Sequence, residues 1–297
     1  MLASLEIISP NTFEVPISWQ DHLAMARQMI ISRGGPKSIH RKDKVGYFLS
    51  TWFAYLDVLG SLSGSKVDKP LDSSYWAVDD DGHDPTERLQ EEFQIDCLLG
   101  FTSHCIGILA RIAELAKECE PSRLDPASGT VRRDWRPPPD VVTRAQGIRK
   151  ELQQSRDCVY KACDHRPRDG DAGESAWDSL EIYATNEAFH WAGLIHLYRR
   201  CLNLPSNSPE VQTCVREIVG ALYKVRRGST AEACLLFPMF AAGCEMENER
   251  DRERLRGRLR EVEGCGMMQV RRARRVLESV WGTGKAWEGL VGDDFFG

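Results

Sequence analysis

The stretch Trp177–Leu202, WDSLEIYATNEAFHWAGLIHLYRRCL, constrains the fold more than any other. Trp177, Leu180, Ala184, Ala188, Trp191, Ile195 and Tyr198 recur every three or four residues and therefore share one helical stripe. Ile182, Phe189, Leu194 and Leu197 face elsewhere. A helix that is apolar on more than one side has to be enclosed by other helices rather than laid on a surface. Ser175 stands ahead of the pattern as an N-cap, and Arg199 and Arg200 complement the negative end of the helix dipole. Asn203 and Pro205 then stop the helix.

The remaining segments read as helices that could enclose this one. Helical spacing runs from about Trp19 to Arg33, closed by Gly34-Gly35-Pro36, with Ser18 and Asp21 resembling a capping box at its start. A second helix is expected from about Asp43 to Leu62, with Tyr47, Phe48, Trp52, Phe53, Tyr55 and Leu56 as an aromatic packing face. Others follow at about Thr86–Glu118 (bent near Gly100), Asp140–Cys163, Pro209–Arg226, Ala231–Gly257 and Gly266–Trp281. Pro238 should kink or divide its helix, because it removes a backbone donor. Polar, Gly- and Pro-containing loops are expected at about 63–85, 120–139 and 164–174. Period-two alternation is almost absent, and no repeat of fixed length is found. The fold expected is all-α, one irregular multi-helix domain over 1–297 packed around the central buried helix at about 177–202.

Composition narrows the function. A net charge of -5, with 42% hydrophobic and 28% charged residues, describes an ordinary globular chain and argues against a wholesale nucleic-acid or membrane-surface binder. MLASLEIISP lacks the basic region of a secretory signal, and the apolar run Ala233–Cys244 is too short to span a bilayer. The expectation is an intracellular protein with no membrane partner. The 10 cysteines are scattered without a C-x-x-C pair, so free thiols are expected rather than disulfides or a metal framework.

Several constellations carry potential chemistry. Asp80-Asp81-Gly82-His83-Asp84 matches D-D-x-x-D, the magnesium-diphosphate motif of all-α terpenoid synthases. Gly82 inside it and Pro85 after it make it a loop, and the second acidic motif N-D-x-x-S-x-x-x-E is missing. A metal-dependent, terpenoid-synthase-like enzyme using Asp80–Asp84 is the competing reading. Glu187 and His190 form an E-x-x-H unit of the kind found in di-iron bundles, but no second copy occurs, so His190 and His196 are expected to bond within the core. Arg250, Arg252, Arg254, Arg256, Arg258, Arg260, Arg271, Arg272, Arg274 and Arg275 interleave with Glu249, Asp251, Glu253, Glu261 and Glu263, the pattern of a solvated, ion-paired helical face. Trp52, Phe53, Trp191 and Tyr198 are candidates to line an effector pocket, though they suit an ordinary core equally. The acidic-aromatic tail Asp293-Asp294-Phe295-Phe296 is a candidate for contact with another protein and is expected to fray. No catalytic, cofactor-binding or metal-binding residue is assigned.

Six stretches in order resemble one family. SWQDHLAMARQMIISRGG, YFLSTWFAYLDVLGSLS and IDCLLGFTSHCIGILARIAELA are similar to its first helices. NEAFHWAGLIHLYRR, LLFPMFAAGCEMENERDRERLRGRL and VLESVW are similar to its later ones. The chain resembles the fungal-specific transcription factor domain, the helical regulatory region that follows a binuclear zinc cluster in fungal gene regulators. The resemblance implies a non-enzymatic regulatory domain working in the nucleus. Its implied partners are a second copy of the chain and transcriptional coregulators, with a small-molecule effector as a further candidate. The cluster itself needs six cysteines spaced C-x2-C-x6-C twice, which this chain lacks. No cofactor is therefore expected here, and zinc and DNA contact are expected only through an N-terminal cluster domain absent from this chain.

Overall fold

The computed structural model describes residues 19–38, 43–64, 69–71, 75, 93–96, 99–125, 127–158, 160–162, 172–264, 268–291 and 296. Ten helices among them carry the fold: α1 (Trp19–Ser32), α2 (Lys44–Ser63), α3 (Ser103–Arg123), α4 (Pro139–Arg156), α5 (Ala172–His196), α6 (Pro209–Tyr223), α7 (Thr230–Ala233), α8 (Leu236–Cys244), α9 (Glu249–Glu263) and α10 (Met268–Thr283). One short parallel pair, Gln94–Ile95 (β1) with Lys161–Ala162 (β2), is the sheet found among the described residues. The all-α class is therefore correct.

α5 is the central buried helix. From Ala184 to His196 it is almost wholly enclosed, with Ala184, Ala188, Phe189, Ala192, Leu194 and Ile195 at 3% exposure or less. α6 and α8 pack against it, as do α3 and α4. Gly193 permits the α3 crossing: a Cβ there would come within 2.9 Å of Leu109 Cδ2 and 3.3 Å of Ile112 Cδ1. α10 closes over α8 and α9, and α1 lies on α2. The buried apolar side chains form one continuous cluster from Trp19 to Phe296.

Helix ends follow local chemistry. Asp43, Thr102, Ser208 and Asn248 each accept a backbone N–H of the first turn. Gly34 and Gly35 adopt φ of 99° and 90°, and the Gly35 N–H reaches back to the Ile30 carbonyl at 3.0 Å, closing α1 as expected. Asn203 takes φ 55°, and its side-chain amide donates to the Trp135 carbonyl at 3.1 Å. Before that stop the chain widens into a π-helical turn, Leu197–Cys201, in which the Leu202 N–H bonds the Leu197 carbonyl.

Several boundaries differ from the sequence reading. Of the helix expected over 86–118, the described part becomes helical at Ser103, because Gln94–Ile95 pairs with β2 and Gly100 turns the chain at φ 80°. It also runs through Pro121 to Arg123, four residues into the expected linker. The helix expected over 140–163 stops at Arg156, where Asp157 caps the end and the chain goes on to β2. α5 begins at Ala172, so Ser175 lies inside the helix rather than at its N-cap. The segment expected as one divided helix over 231–257 is three, α7, α8 and the first half of α9, and Pro238 occupies the first turn of α8. Ser18, most of the loop at 63–85, and residues 164–171 of the expected loop at 164–174 lie outside the described residues.

Candidate functional site

The E-x-x-H unit does not converge on a metal. Glu187 faces outward and pairs with Lys224 at 3.4 Å, whereas His190, three residues on, is fully buried. His190 Nδ1–H donates to the Asn186 carbonyl at 2.8 Å, which leaves Nε2 to accept from Ser155 Oγ at 2.9 Å. Tyr160 Oη lies 3.3 Å from the same nitrogen and donates to the Ser155 carbonyl. Burial lowers the His190 pKa to about 4; the Asn186 carbonyl opposes this, and His104 and Arg156 add to it. Burial also pushes the Tyr160 phenol up to about 12. A serine hydroxyl on a neutral imidazole resembles an activated nucleophile. Here Ser155 is 2% exposed and Nδ1 is held by a backbone carbonyl, so the bond ties α4 to α5 inside the core.

His196 is likewise a core residue. Its ring stacks on Phe237 at 5.1 Å and meets Trp287 edge-on at 5.9 Å. Burial first, then Arg200 and Arg123, lower its pKa well below the usual histidine value.

The π-helical turn carries a buried ion network that sequence spacing alone does not show. Arg200, 2% exposed, donates to the Leu62 carbonyl at 2.9 Å and to Glu120 at 3.1 Å, and lies 3.6 Å from Glu288. Arg123 pairs with the same Glu288. Although burial pushes the Glu288 carboxyl up, Arg123, Arg200 and Arg199 hold it below the usual carboxylate range. Arg199 pairs outward with Glu245 at 2.8 Å. The network joins α2, α3, the π turn and the 3-10 turn Trp287–Gly289.

The arginine-rich segment falls on α9 and α10 and is mostly spent on neighbours. Arg254 pairs with Asp251, Arg256 with Glu253, Arg271 with Glu263, and Arg274 with Glu263 and Glu278. Arg252 and Arg256 also lie over the Trp281 ring, at 5.6 and 5.2 Å from its centroid. Arg250, Arg260 and Arg275 are exposed. Arg258 departs from the expected surface face: it is 7% exposed and donates to Glu232 at 2.5 Å and to the carbonyls of Leu222 and Val225.

The aromatic candidates belong to separate groups. Trp52 stacks on Tyr55 at 5.6 Å and Phe53 meets Tyr75 at 6.2 Å, while Trp191 lies beneath the Arg156 guanidinium at 3.8 Å. Tyr198 is 5% exposed in the π turn. These contacts are packing roles. Asp80–Asp84 and Asp293–Phe295 lie outside the described residues. Phe296 corrects the expectation of a frayed tail: it is fully buried, 4.2 Å from Phe240, and its N–H donates to Ser63 Oγ at 3.3 Å.

Among the described residues no group of three or more His, Cys, Asp or Glu side chains is placed to hold a metal ion. Among the described cysteines Cys105, Cys119, Cys201 and Cys214 are buried, and burial pushes the Cys214 thiol up to about 12. No described helix is long and apolar enough to cross a membrane. What the sequence reading did miss is a surface. Met25, Met29 and Ile31 on α1 and Val45, Phe48 and Leu49 on α2 are each at least 50% exposed. The i, i+3, i+4 spacing of Val45, Phe48 and Leu49 was visible, but periodicity does not tell an inward stripe from an outward one.

Comparison with curated proteins gives no match, and comparison with solved structures gives none either. The family comparison does match, over residues 1–285, to the fungal specific transcription factor domain. With nearly the whole length covered, an all-α fold, and six family-like stretches in order, the chain belongs to the fungal specific transcription factor domain family, whose role is in transcription regulation.

Proposed function

We propose that the chain is the regulatory domain of a nuclear transcription factor of the binuclear zinc-cluster type, acting through protein–protein contacts rather than catalysis. The family match over residues 1–285 is the observation that carries this reading. Two features support it. The polar groups with chemical potential, Ser155, His190, His196 and Glu288, are buried and engaged in packing or in joining helices to one another. The exposed apolar residues, by contrast, are gathered on α1 and α2, as a contact surface requires. DNA would be read by a zinc-cluster domain, and a small-molecule effector would act by biasing contacts made by this domain.

The test is a tethering assay. The 297-residue chain is fused to a monomeric heterologous DNA-binding module upstream of a reporter. The expected outcome is a reproducible rise or fall in transcription relative to the module alone. Output equal to the module alone, from a fusion shown to be folded and nuclear, would overturn the regulatory reading.

A further inference from the structure

Among the described cysteines, Cys119 and Cys201 are set against one another by the fold, far apart as they are in the sequence. Cys119 lies near the end of α3, and Cys201 closes the π turn. The two elements pack together, and both side chains are enclosed in the apolar cluster, at 3% and 0% exposure. Their thiols are hydrogen-bonded, the Cys201 S–H donating to the Cys119 sulfur. Sulfurs already in such contact are separated from the about 2.05 Å of a disulfide by side-chain rotation rather than by movement of a helix.

The surroundings make the two sulfurs unequal. Arg123 stands one helical turn beyond Cys119 on α3, and Arg144 of α4 adds a second positive charge. The Cys201 hydrogen bond, helped by Arg123 and Arg144, holds the Cys119 thiol below the usual thiol range, against burial and the charge of Glu118. The same hydrogen bond, then burial, pushes the Cys201 thiol well above that range, although Arg200 and Arg123 oppose this. One sulfur is therefore the better thiolate and the other remains a protonated thiol beside it. A thiolate is the form that attacks an oxidant, and an adjacent thiol is what resolves the product. Access runs past Glu118, the residue before Cys119, which pairs with Arg144 at 2.6 Å. Both side chains of that pair are nearly half exposed, so it is weakly held and a small oxidant can pass it.

We propose that Cys119 and Cys201 are a redox modification site, at which a hydroperoxide converts the thiol pair into a disulfide between α3 and the π turn. In the first step the Cys119 thiolate attacks the terminal hydroperoxide oxygen. The O–O bond breaks, Cys119 becomes a sulfenic acid, and the leaving alkoxide takes up the proton that Cys119 gave up. In the second step the Cys201 sulfur loses its proton and attacks the Cys119 sulfur. The S–S bond forms, the S–O bond breaks, and the departing hydroxide leaves with that proton as water. Two thiols lose two electrons in all, and the hydroperoxide is reduced to an alcohol and water. A dithiol reductant reverses the change by exchange.

The bond would reinforce a joint that is already loaded. Cys201 follows Arg200, whose contacts with Leu62, Glu120 and Glu288 fix the π turn in place. The loop it would close holds all of α4 and α5, so the oxidised chain should resist unfolding more than the reduced one. In a reducing compartment such a bond is transient and reports on oxidant. The proposal goes beyond the regulatory reading and stands independently of it.

The experiment is a titration of the full 297-residue chain, reduced and freed of reductant, with hydrogen peroxide under native conditions. Intact mass is measured, and peptides are mapped after the remaining thiols are alkylated. The expected result is a loss of about 2 Da and one peptide pair joined through Cys119 and Cys201, both reversed by dithiothreitol. The urea midpoint should rise on oxidation and return on reduction. Cys201→Ser should leave Cys119 as a sulfenic acid that a cyclic 1,3-dione labels, whereas Cys119→Ser should leave Cys201 unlabelled. Labelling at Cys119 should be on the order of 10-fold faster than at the buried Cys214. Mapping of the parent decides the matter even where a serine variant fails to fold. Thiols that stay intact until the chain is unfolded overturn the proposal. So does a Cys119 that passes to sulfinic acid without cross-linking, or a disulfide that joins either cysteine to a different one or to a second chain.

Discussion

His190 shows how one buried side chain ties stability to pH. Unfolded, its imidazole titrates near 6.5, whereas in the folded chain burial brings that value down to about 4. Above pH 6.5 both states are neutral and the contribution of its bonds to Ser155 and Asn186 is complete. As pH falls from 6.5 towards 4, the unfolded chain takes up a proton that the folded chain refuses, and stability drops. By pH 4.5 the loss from this residue amounts to about 2 to 3 kcal/mol. Glu288 has the opposite origin and a lower window. Its carboxyl is held below the usual range, so its contribution is present above about 4.5 and fails only as pH falls further. Urea unfolding at pH 7.5 and pH 4.5 separates the two: His190→Gln should shrink the difference between those pH values by about 2 kcal/mol, at some cost to stability at both. An unchanged difference would show that His190 is protonated in the fold.

At the scale of elements, packing decides which glycines matter. Gly193 lies where α5 crosses α3, and a Cβ there meets Leu109 and Ile112 at 2.9 and 3.3 Å. Overpacking strain of about 1 to 3 kcal/mol should exceed the gain in helix propensity, so Gly193→Ala is expected to destabilise by about 1 kcal/mol. Gly220, in α6, has open space where its Cβ would stand. Gly220→Ala should therefore stabilise by about 0.5 to 1 kcal/mol. Opposite signs in denaturant titrations would verify the crossing, and equal signs would refute it. Most helix positions were legible because their cues are local: Asp43, Gly34, Gly35 and Asn203 behave as their chemistry dictates. The missed boundaries have nonlocal causes. β1 and β2 lie more than sixty residues apart, and Ser175 loses its cap role because α5 extends beyond its apolar stripe.

For the whole molecule, the C-terminal residues act as a clasp on the helical array. Trp287 meets His196 and Phe240, Glu288 sits between Arg123 and Arg200, and Phe296 packs on Phe240. Removing the central carboxylate charge would leave two buried guanidinium groups short of compensation. Glu288→Gln should cost about 3 to 5 kcal/mol and lower the melting temperature by about 10 °C. Since the buried apolar residues form one cluster from Trp19 to Phe296, that loss should appear as one cooperative transition moved to lower temperature. A separate early transition would instead mean that the clasp opens on its own.

The amino-acid sequence by itself determined the helical class, the central place of α5 and the family, because apolar period, capping residues and motif order are properties of neighbouring residues along the chain. It also anticipated that His190 would bond within the core. Tertiary structure alone decided which side of each stripe meets solvent and which charges meet each other. Phe48 and Phe53 look alike in a helical pattern, yet one is 53% and the other 6% exposed. Arg258 and Arg260 sit two apart in one charged run, yet Arg258 enters the core and Arg260 stays outside. The ion network of Arg123, Arg200 and Glu288 spans 165 positions, a distance that only the folded chain closes. Local order is set by short-range sterics and hydrogen bonding. Burial is set by what the rest of the chain brings alongside.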